Sequence, residues 1–263
     1  MRKRTGIESD TTDTCAAVCN LENPNPSFAA ALGRQELSER PSRMEIPMAA
    51  PAGVYRARRA TLAARIERPL AIFAGHAPAR SYATNLHRFR AACSFLYFGG
   101  PPLEDAALMI EPGSDGDRGC HLFRVPPGPD DDLWQGPTPD RDALAAASGI
   151  EAARIHDEDR LAAVLAKRSA GALIAPHPRT IARARALHLA DATDDEKLAV
   201  IAQRLIKDEH ELAALRKAAD VVVAAHRAAM SATRSARTES DIHAAHEAEL
   251  ARHLCVQSFS TIC

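Results

Sequence analysis

The sequence has few aromatic residues, no long apolar run and no excess of one charge. Aromatic side chains make up 4% of its 263 residues, and 33 basic residues nearly balance 34 acidic ones. Balanced charge excludes the strong field that draws a protein to nucleic acid or acidic lipid, so we expect neither partner. No apolar stretch reaches the roughly 20 residues that cross a membrane, and the basic start MRKRTG precedes no signal-peptide core. We therefore expect a cytoplasmic protein.

Close cysteine pairs and glycine-rich catalytic motifs are also missing. The six cysteines lack the spacing of a zinc ribbon and the density of a disulfide scaffold, so we expect reduced thiols. No Walker A loop, GxGxxG fingerprint or GxSxG turn is present, which removes the usual support for nucleotide binding or a serine nucleophile. The cysteines are Cys15, Cys19, Cys93, Cys120, Cys255 and Cys263.

Histidines and glutamates near the C-terminus raise the question of a metal site. The segment HAAHEAELARH contains His243, His246, Glu247, Glu249 and His253. A zincin places two histidines one turn apart in HExxH, whereas here the histidine after Glu247 comes six residues later. We interpret the segment as a solvated helix face, and assign neither catalytic nor metal-ligating residues.

The chain divides into three parts by composition. Residues 1–50 are rich in polar residues and proline and predict a disordered tail, and Met44 is an alternative start just before regular structure. Residues 51–200 alternate helix patterns such as YRARRATLAARI with short apolar runs such as PLAIFAG, which predicts an α/β fold with a sheet covered on both faces.

Residues 201–263 are helical by pattern. Leu212, Leu215, Ala219, Val222, His226 and Met230 recur at steps of three and four, which predicts one long amphipathic helix. Thr238, followed by acidic residues, caps a second helix that reaches about His253.

Four segments, in order, resemble the aminopeptidase P (Xaa-Pro aminopeptidase) family of pita-bread metallohydrolases. YRARRATLAARI resembles its RR..L helix, and FRAACSFLYFGGPPLEDAALMI resembles its R.nsdF.Yl.Gf segment. HLFRVPPGPDDDLWQGP resembles its W.G loop, and RLIKDEHELAALRKAADVVVAAHRAAM resembles the start of its catalytic domain. The resemblance covers about residues 52–263.

The resemblance implies a fold, an activity and a cofactor. It implies a mixed β-sheet flanked by helices over residues 51–200, and the first helices of a pita-bread α+β domain over 201–263. The full-length family removes the N-terminal residue from short peptides with proline second, using two metal ions, usually manganese, held by Asp, His and Glu. It also implies a homo-oligomer, with Arg90, Phe95, Tyr97 and Trp134 near a subunit interface or pocket rim.

This sequence departs from the family pattern at its end. It stops at QSFSTIC, before the LHY, D.G and D.TR segments that carry metal ligands, so no ligand is carried over and we expect the chain alone to be inactive. Smaller departures are Ala92, Leu96 and Gly100-Pro101. Two alternatives stay open: a non-catalytic oligomerisation or binding module, and a fragment of a prolidase- or creatinase-type hydrolase.

Overall fold

Short apolar runs of the sequence become the strands of one mixed β-sheet in a computed structural model. The structure describes residues 46–259 except 83–84, 117, 129–130, 132, 134–135, 166–170 and 174–176. Residues 44–263 form one unit by themselves. The strands are β1 (Leu70–Phe73), β2 (Ala107–Ile110), β3 (Cys120–Arg124), β4 (Ile155–Asp157), β5 (Gly171–Leu173) and β6 (Ala190–Asp191), in the order β4-β3-β2-β1-β5-β6.

Helices connect these strands and continue beyond them. They include α1 (Ala52–Ala63), α2 (Cys93–Tyr97), α3 (Arg141–Ser148), α4 (Asp159–Leu165), α5 (Pro178–Ala186), α6 (Asp194–Leu205), α7 (Glu209–Ala232) and α8 (Glu239–Arg252). A 3₁₀ turn (Ala152–Arg154) precedes β4. Within the part of the chain that the structure describes, no helix has the length and apolar character of a membrane span.

The strand directions place most carboxyl ends of the strands at one edge of the sheet. Strand β2 runs antiparallel to both β1 and β3 in a meander, whereas the pairs β1–β5, β5–β6 and β3–β4 are parallel. The carboxyl ends of β1, β3, β4, β5 and β6 therefore lie at the same edge. In open α/β sheets this edge is where ligands bind.

The central strands are apolar on both faces because helices cover both faces. All four residues of β1 are buried, and successive side chains alternate between two hydrophobic clusters. Leu70 and Ile72 join the cluster under α1, α2, α3 and α6, whereas Ala71 and Phe73 join the one under α4 and α5. The prediction of a mixed α/β sheet flanked by helices is confirmed.

Helix α1 differs in its bounds from the sequence pattern. The pattern indicated Tyr55 to Ile66, with Pro69 as the stop, but the helix runs from Ala52 to Ala63. The reason lies in the turn between β2 and β3, where the Gly113 N–H donates to the Ala63 carbonyl at 2.8 Å. Ile66 is buried after the helix has ended.

The segment RTIARARALHLAD, which periodicity left undecided, contains both a helix and a strand. Helix α5 ends at Ala186, and His188 turns the chain with a positive φ of 53° before β6. The helix, the turn and the strand together occupy these thirteen residues, which explains why the periodicity is mixed.

The long helix α7 and the capped helix α8 form as the sequence predicts. They pack on each other through Val221, Ala225 and Leu250. His226 of the predicted apolar stripe contacts His246 of α8, but other stripe residues remain open to solvent, since Leu215 is 53% exposed and Met230 is 73% exposed. Helix α8 therefore covers only one side of α7.

Candidate functional site

The residues predicted for an interface or pocket rim occupy different environments. Arg90 is exposed in the segment before α2, Phe95 is fully buried in the core, and Tyr97 is half-buried at the end of α2. Trp134 lies outside the described residues. Tyr97 is the one of these residues that enters a polar cluster for which the structure gives contacts.

That cluster joins α1 to the start of α7, and we call it the Arg58 junction: Arg58, Tyr97, Gln203, Asp208 and Glu211. The Arg58 guanidinium donates to Asp208 Oδ2 at 2.6 and 3.2 Å and to the Tyr97 carbonyl at 3.0 Å. Its Cζ also lies 4.2 Å from the centre of the Tyr97 ring. Because Arg58 is only 8% exposed, these contacts are shielded from solvent screening.

The Arg58 junction is closed by two further hydrogen bonds. The Tyr97 hydroxyl donates to the Gln203 carbonyl at 3.2 Å, and the Gln203 side-chain amide donates to the Arg58 carbonyl at 2.8 Å. Burial raises the pKa of the Tyr97 phenol, although Arg58 beside it acts in the opposite direction. The phenol therefore stays a neutral donor, and the junction fixes the end of α6 on α1.

Asp208 is both the N-cap of α7 and the anion of the junction. Its carboxylate accepts from the Glu211 backbone N–H at 2.9 Å, and Glu211 accepts in return from the Asp208 N–H, which makes a capping box. Burial would raise the pKa of Asp208, but the backbone N–H of Glu211 and the Arg58 guanidinium outweigh it and lower that pKa. The ionised carboxylate thus satisfies a helix end and a buried arginine together.

The neighbouring Arg59 is fully buried and holds together loops from three parts of the chain. Its guanidinium donates to the carbonyls of Gly116, Phe98, Ser148 and Gly149 at 2.5 to 3.0 Å. The sequence pattern places Arg59 with Tyr55, leading into the face of Leu62 and Ile66, but it missed the hydrogen bonds that Arg58 and Arg59 make. A signal for these roles is present in the sequence. Arg58 and Arg59 each lie three or four residues from both Tyr55 and Leu62, and this spacing puts them on or beside the buried face of the helix.

A second cluster lies at the carboxyl edge of the sheet. His76 follows β1 and His177 follows β5, and their rings meet edge to face with centroids 3.9 Å apart. Neither Nδ1 atom has a hydrogen-bond partner within the described ranges. Burial, followed by His177 and Arg179, lowers the pKa of His76, which favours the neutral form of its ring.

Ion pairs from α5 border this edge. Arg179 donates to Asp105 Oδ2 at 2.7 Å, and Arg183 donates to the Asp105 carbonyl and lies 2.7 Å from Glu158 Oε1. An open cleft of about 470 Å³ begins beside Arg183. Its described lining offers apolar walls and one ion pair but no hydroxyl or thiol nucleophile. The lining residues are Pro126, Glu158, Asp159, Leu161, Ala162, Arg183, Ala186 and Leu187.

The histidines and glutamates of α8 form two separate groups, one around Glu247 and one around Glu249. The Gln257 amide lies between His243, at 3.0 Å, and Glu247, and His253 lies 3.4 Å from Glu249. Across the described ranges, no group of three or more His, Cys, Asp or Glu could hold a metal ion. The interpretation of this helix as a solvated face stays a prediction.

Known proteins of one family resemble this chain in sequence. Residues 55–174 match the family model described as "Aminopeptidase P, N-terminal domain". The Aspergillus niger protein named "Probable Xaa-Pro aminopeptidase pepP" is 32% identical over 169 residues, which are 60% of this chain and 34% of that protein. "Xaa-Pro aminopeptidase 2" of Streptomyces coelicolor is 33% identical over 183 residues, or 63% and 37% of the two chains. This chain thus spans about a third of the length of these curated relatives.

Solved structures share the architecture at lower sequence identity. The low-pH form of Escherichia coli aminopeptidase P superposes with a TM-score of 0.64 at 21% identity, covering 78% of this chain and 50% of that one. The same enzyme with the inhibitor Pro-Leu gives a TM-score of 0.64 at 22% identity, covering 80% and 50%. These likenesses show the fold. The family model and the curated relatives support an aminopeptidase P family N-terminal region over residues 55–174 of this chain.

Proposed function

We propose that this chain supplies the N-terminal part of a metal-dependent Xaa-Pro aminopeptidase, an enzyme that removes the first residue of short peptides with proline second. The observation that carries the proposal is the family match over residues 55–174, the region that holds the sheet. We further propose the division into a tail (1–50), the N-terminal domain (51–200) and the start of a catalytic domain (201–263). The Arg58 junction supports it, because it fixes α7 to α1 just after that boundary.

The described residues do not fit the two-metal manganese centre that the family resemblance implies. They contain no group of three or more potential ligands, so no catalytic step is assigned to them. We propose that the manganese centre belongs to the longer protein. The contribution of this chain is then to orient the catalytic domain and to border its entrance.

We propose that the predicted rim residues lie at the entrance of the catalytic domain or at a subunit interface. Arg90 is exposed and Tyr97 lies at the end of α2, which makes both available to border such a surface, while buried Phe95 holds α2 in place. Trp134 completes the proposed set. We also propose that the protein is a homo-oligomer in the cytoplasm, a location that the free Cys93, Cys120 and Cys255 support.

The second candidate function is that of an oligomerisation or binding module without catalysis. The exposed stripe of α7 favours this candidate, since Leu215, Val222 and Met230 present apolar surface that a partner would cover. The two candidates differ in the presence of turnover. A prolidase-type hydrolase differs from both in its preference for dipeptides.

The experiment compares this 263-residue chain with the product obtained by reading its gene onward in all three frames. Both proteins are assayed on an Xaa-Pro-Xaa tripeptide and an Xaa-Pro dipeptide, with and without Mn²⁺. We expect the longer product to cleave the tripeptide only with metal, and the shorter chain to show no turnover above buffer. Metal-dependent turnover by the shorter chain would contradict the assignment of catalysis to the longer protein, and cleavage of the dipeptide alone would replace it with a prolidase.

If no reading frame continues into metal-ligand segments, the oligomerisation module becomes the proposed function. Light scattering on the purified chain then tests this function by measuring the oligomeric state. A defined dimer or tetramer supports the module, and a monomer that binds no second copy removes it.

A further inference from the structure

Two histidines on neighbouring strands are in direct hydrogen-bond contact, away from the Arg58 junction and from the His76–His177 pair. His121 lies in β3 and His156 in β4, and His121 Nδ1 is 3.0 Å from His156 Nε2. The two rings stack at an interplanar angle of 23°, and both contact Phe123. Strand β4 is at the end of the sheet, so this contact ties an edge strand to its single neighbour.

A third side chain fixes the direction of the hydrogen bonds. Arg154 Nη1 lies 3.0 Å from His121 Nε2, and a guanidinium can only donate. His121 Nε2 is therefore the acceptor, which leaves its proton on Nδ1, where it points at His156. His156 Nε2 accepts that proton, so both neutral rings carry their own hydrogen on Nδ1.

An additional proton would disrupt this arrangement. A proton on His121 Nε2 would face the Arg154 donor, and a proton on His156 Nε2 would face the His121 N–H at 3.0 Å. Either protonation replaces a hydrogen bond with two opposed donors. The two ring nitrogens that could accept a proton are the same two atoms that hold the strands together.

The charges around the pair are mostly positive. Arg154 precedes β4, Arg141 begins α3 and Arg160 lies in α4, whereas Glu111 after β2 and Asp157 in β4 are negative. Asp157 is itself held by Arg141 at 2.9 Å and lies 3.7 Å from Arg124 of β3. Glu111 Oε1, 3.4 Å from His121 Nε2, is the group that favours a charged ring, and it competes there with Arg154.

We propose that Arg154, His121 and His156 form a directed hydrogen-bond latch that holds edge strand β4 on β3 at neutral pH and releases it in acid. Burial lowers the pKa of His121 and that of His156, and the neighbouring arginines add to the effect on His156. Release of β4 would also affect the helix that follows it. Strand β4 leads directly into α4, whose Asp159, Leu161 and Ala162 line the cleft at the carboxyl edge.

The sign of the pH dependence follows from these directions. A histidine whose pKa is lowered by folding is protonated more readily when the strand is released, so the latch is complete above about pH 6.5 and weakens as the pH falls below it. Between pH 7.5 and 5.5 each released histidine favours opening by at most roughly 10-fold, and the pair by roughly 100-fold.

The test compares hydrogen-exchange protection factors of the β4 amides (155–157) at pH 7.5 and 5.5 in the full chain. The comparison variant is His121→Gln/His156→Gln, because a glutamine amide can accept from Arg154 and donate onward but does not titrate. We expect wild-type protection to fall by 10- to 100-fold and that of the double variant by less than about 3-fold. His156→Gln alone should retain a fall of at most about 10-fold.

His87→Gln is the matched control, since His87 is exposed and, among the described residues, its hydrogen bond to the Pro78 carbonyl comes from the backbone N–H. It should behave as the wild type. Long-range ¹H–¹⁵N spectra at pH 7.5 provide a second measurement, independent of the folding of any variant, and should show the Nδ1–H tautomer for both His121 and His156. An Nε2–H tautomer at His121, or an equal fall in wild type and double variant, overturns the latch.

Discussion

The sheet region and the α7–α8 pair differ in how much of their apolar surface this chain covers. In the sheet, β1 and β2 are buried on both faces, and Arg59 ties the surrounding loops with four hydrogen bonds. In the helix pair only Val221, Ala225 and Leu250 form a buried cluster, while a long stripe of α7 is exposed. The difference indicates that the sheet region is stable through its own contacts, whereas the helix pair has an unoccupied packing face.

The largest loss in the free energy of unfolding is expected from Arg59→Met, which removes hydrogen bonds in the sheet region. It removes a buried donor and leaves the carbonyls of Gly116, Phe98, Ser148 and Gly149 without that partner. We expect the free energy of unfolding to fall by ~4 kcal/mol or more in urea titration. Arg65→Met, at an exposed position of the following turn, is the control and should change it by less than ~0.5 kcal/mol. Equal losses would contradict the role assigned to Arg59.

The next effect contrasts matched leucines from the two regions. Leu108 in β2 is completely buried, whereas Leu215 in α7 is 53% exposed. Leu108→Ala should reduce the free energy of unfolding by about 3 kcal/mol, because it leaves a cavity in a packed core. Leu215→Ala should change it by less than about 0.5 kcal/mol, as measured by urea denaturation. A large loss at Leu215 would show that its side of α7 is covered.

A smaller effect is expected at the Arg58 junction, which joins the two regions. Asp208→Asn keeps a good N-cap but removes the charge beside Arg58, and should cost about 1–2 kcal/mol at neutral pH. Because the pKa of Asp208 is lowered from its ordinary 3.8, its contribution is present above that value and is lost as the pH falls through the folded pKa. In thermal unfolding between pH 7 and pH 2, the difference between wild type and variant should therefore narrow below pH 3.8. The exposed Asp194→Asn is the control, and a constant gap between Asp208→Asn and wild type would refute the ion pair.

The smallest change in stability is expected on the exposed stripe. Leu215→Gln with Met230→Gln should alter the free energy of unfolding by less than ~1 kcal/mol, since both side chains already contact water. Self-association should nevertheless weaken in sedimentation velocity runs, because the apolar surface is what a second copy would contact. Unchanged association would remove the stripe as a contact surface.

The sequence predicted the strands and long helices because their apolar periodicity is local. PLAIFAG, AALMI and HLFRVPP became β1, β2 and β3, and the stripe and caps of the last third became α7 and α8. The bounds of α1 were wrong by three residues at each end, and at the C-terminal end Gly113, which is distant in sequence, takes the Ala63 carbonyl.

The polar contacts were much less predictable. Arg58, Arg59 and Asp208 meet partners between 39 and 150 residues away, and no local pattern encodes such a pairing. The His121–His156 contact depends on the parallel register of β3 and β4, which follows from the fold and not from either segment. The family resemblance supplied the architecture but carried none of these pairings.

The contrast between the two regions is tested most directly by hydrogen exchange across the whole chain at pH 7.5. The slowest amides of β1 and β2 should report the full free energy of unfolding, and those of α7 should be protected at least about 100-fold less, because their helix opens locally. That result would support a sheet region that is stable by itself and a helix pair that lacks a cover. Equal protection in β1, β2 and α7 would contradict the account, since it would mean that the chain unfolds as a single cooperative unit.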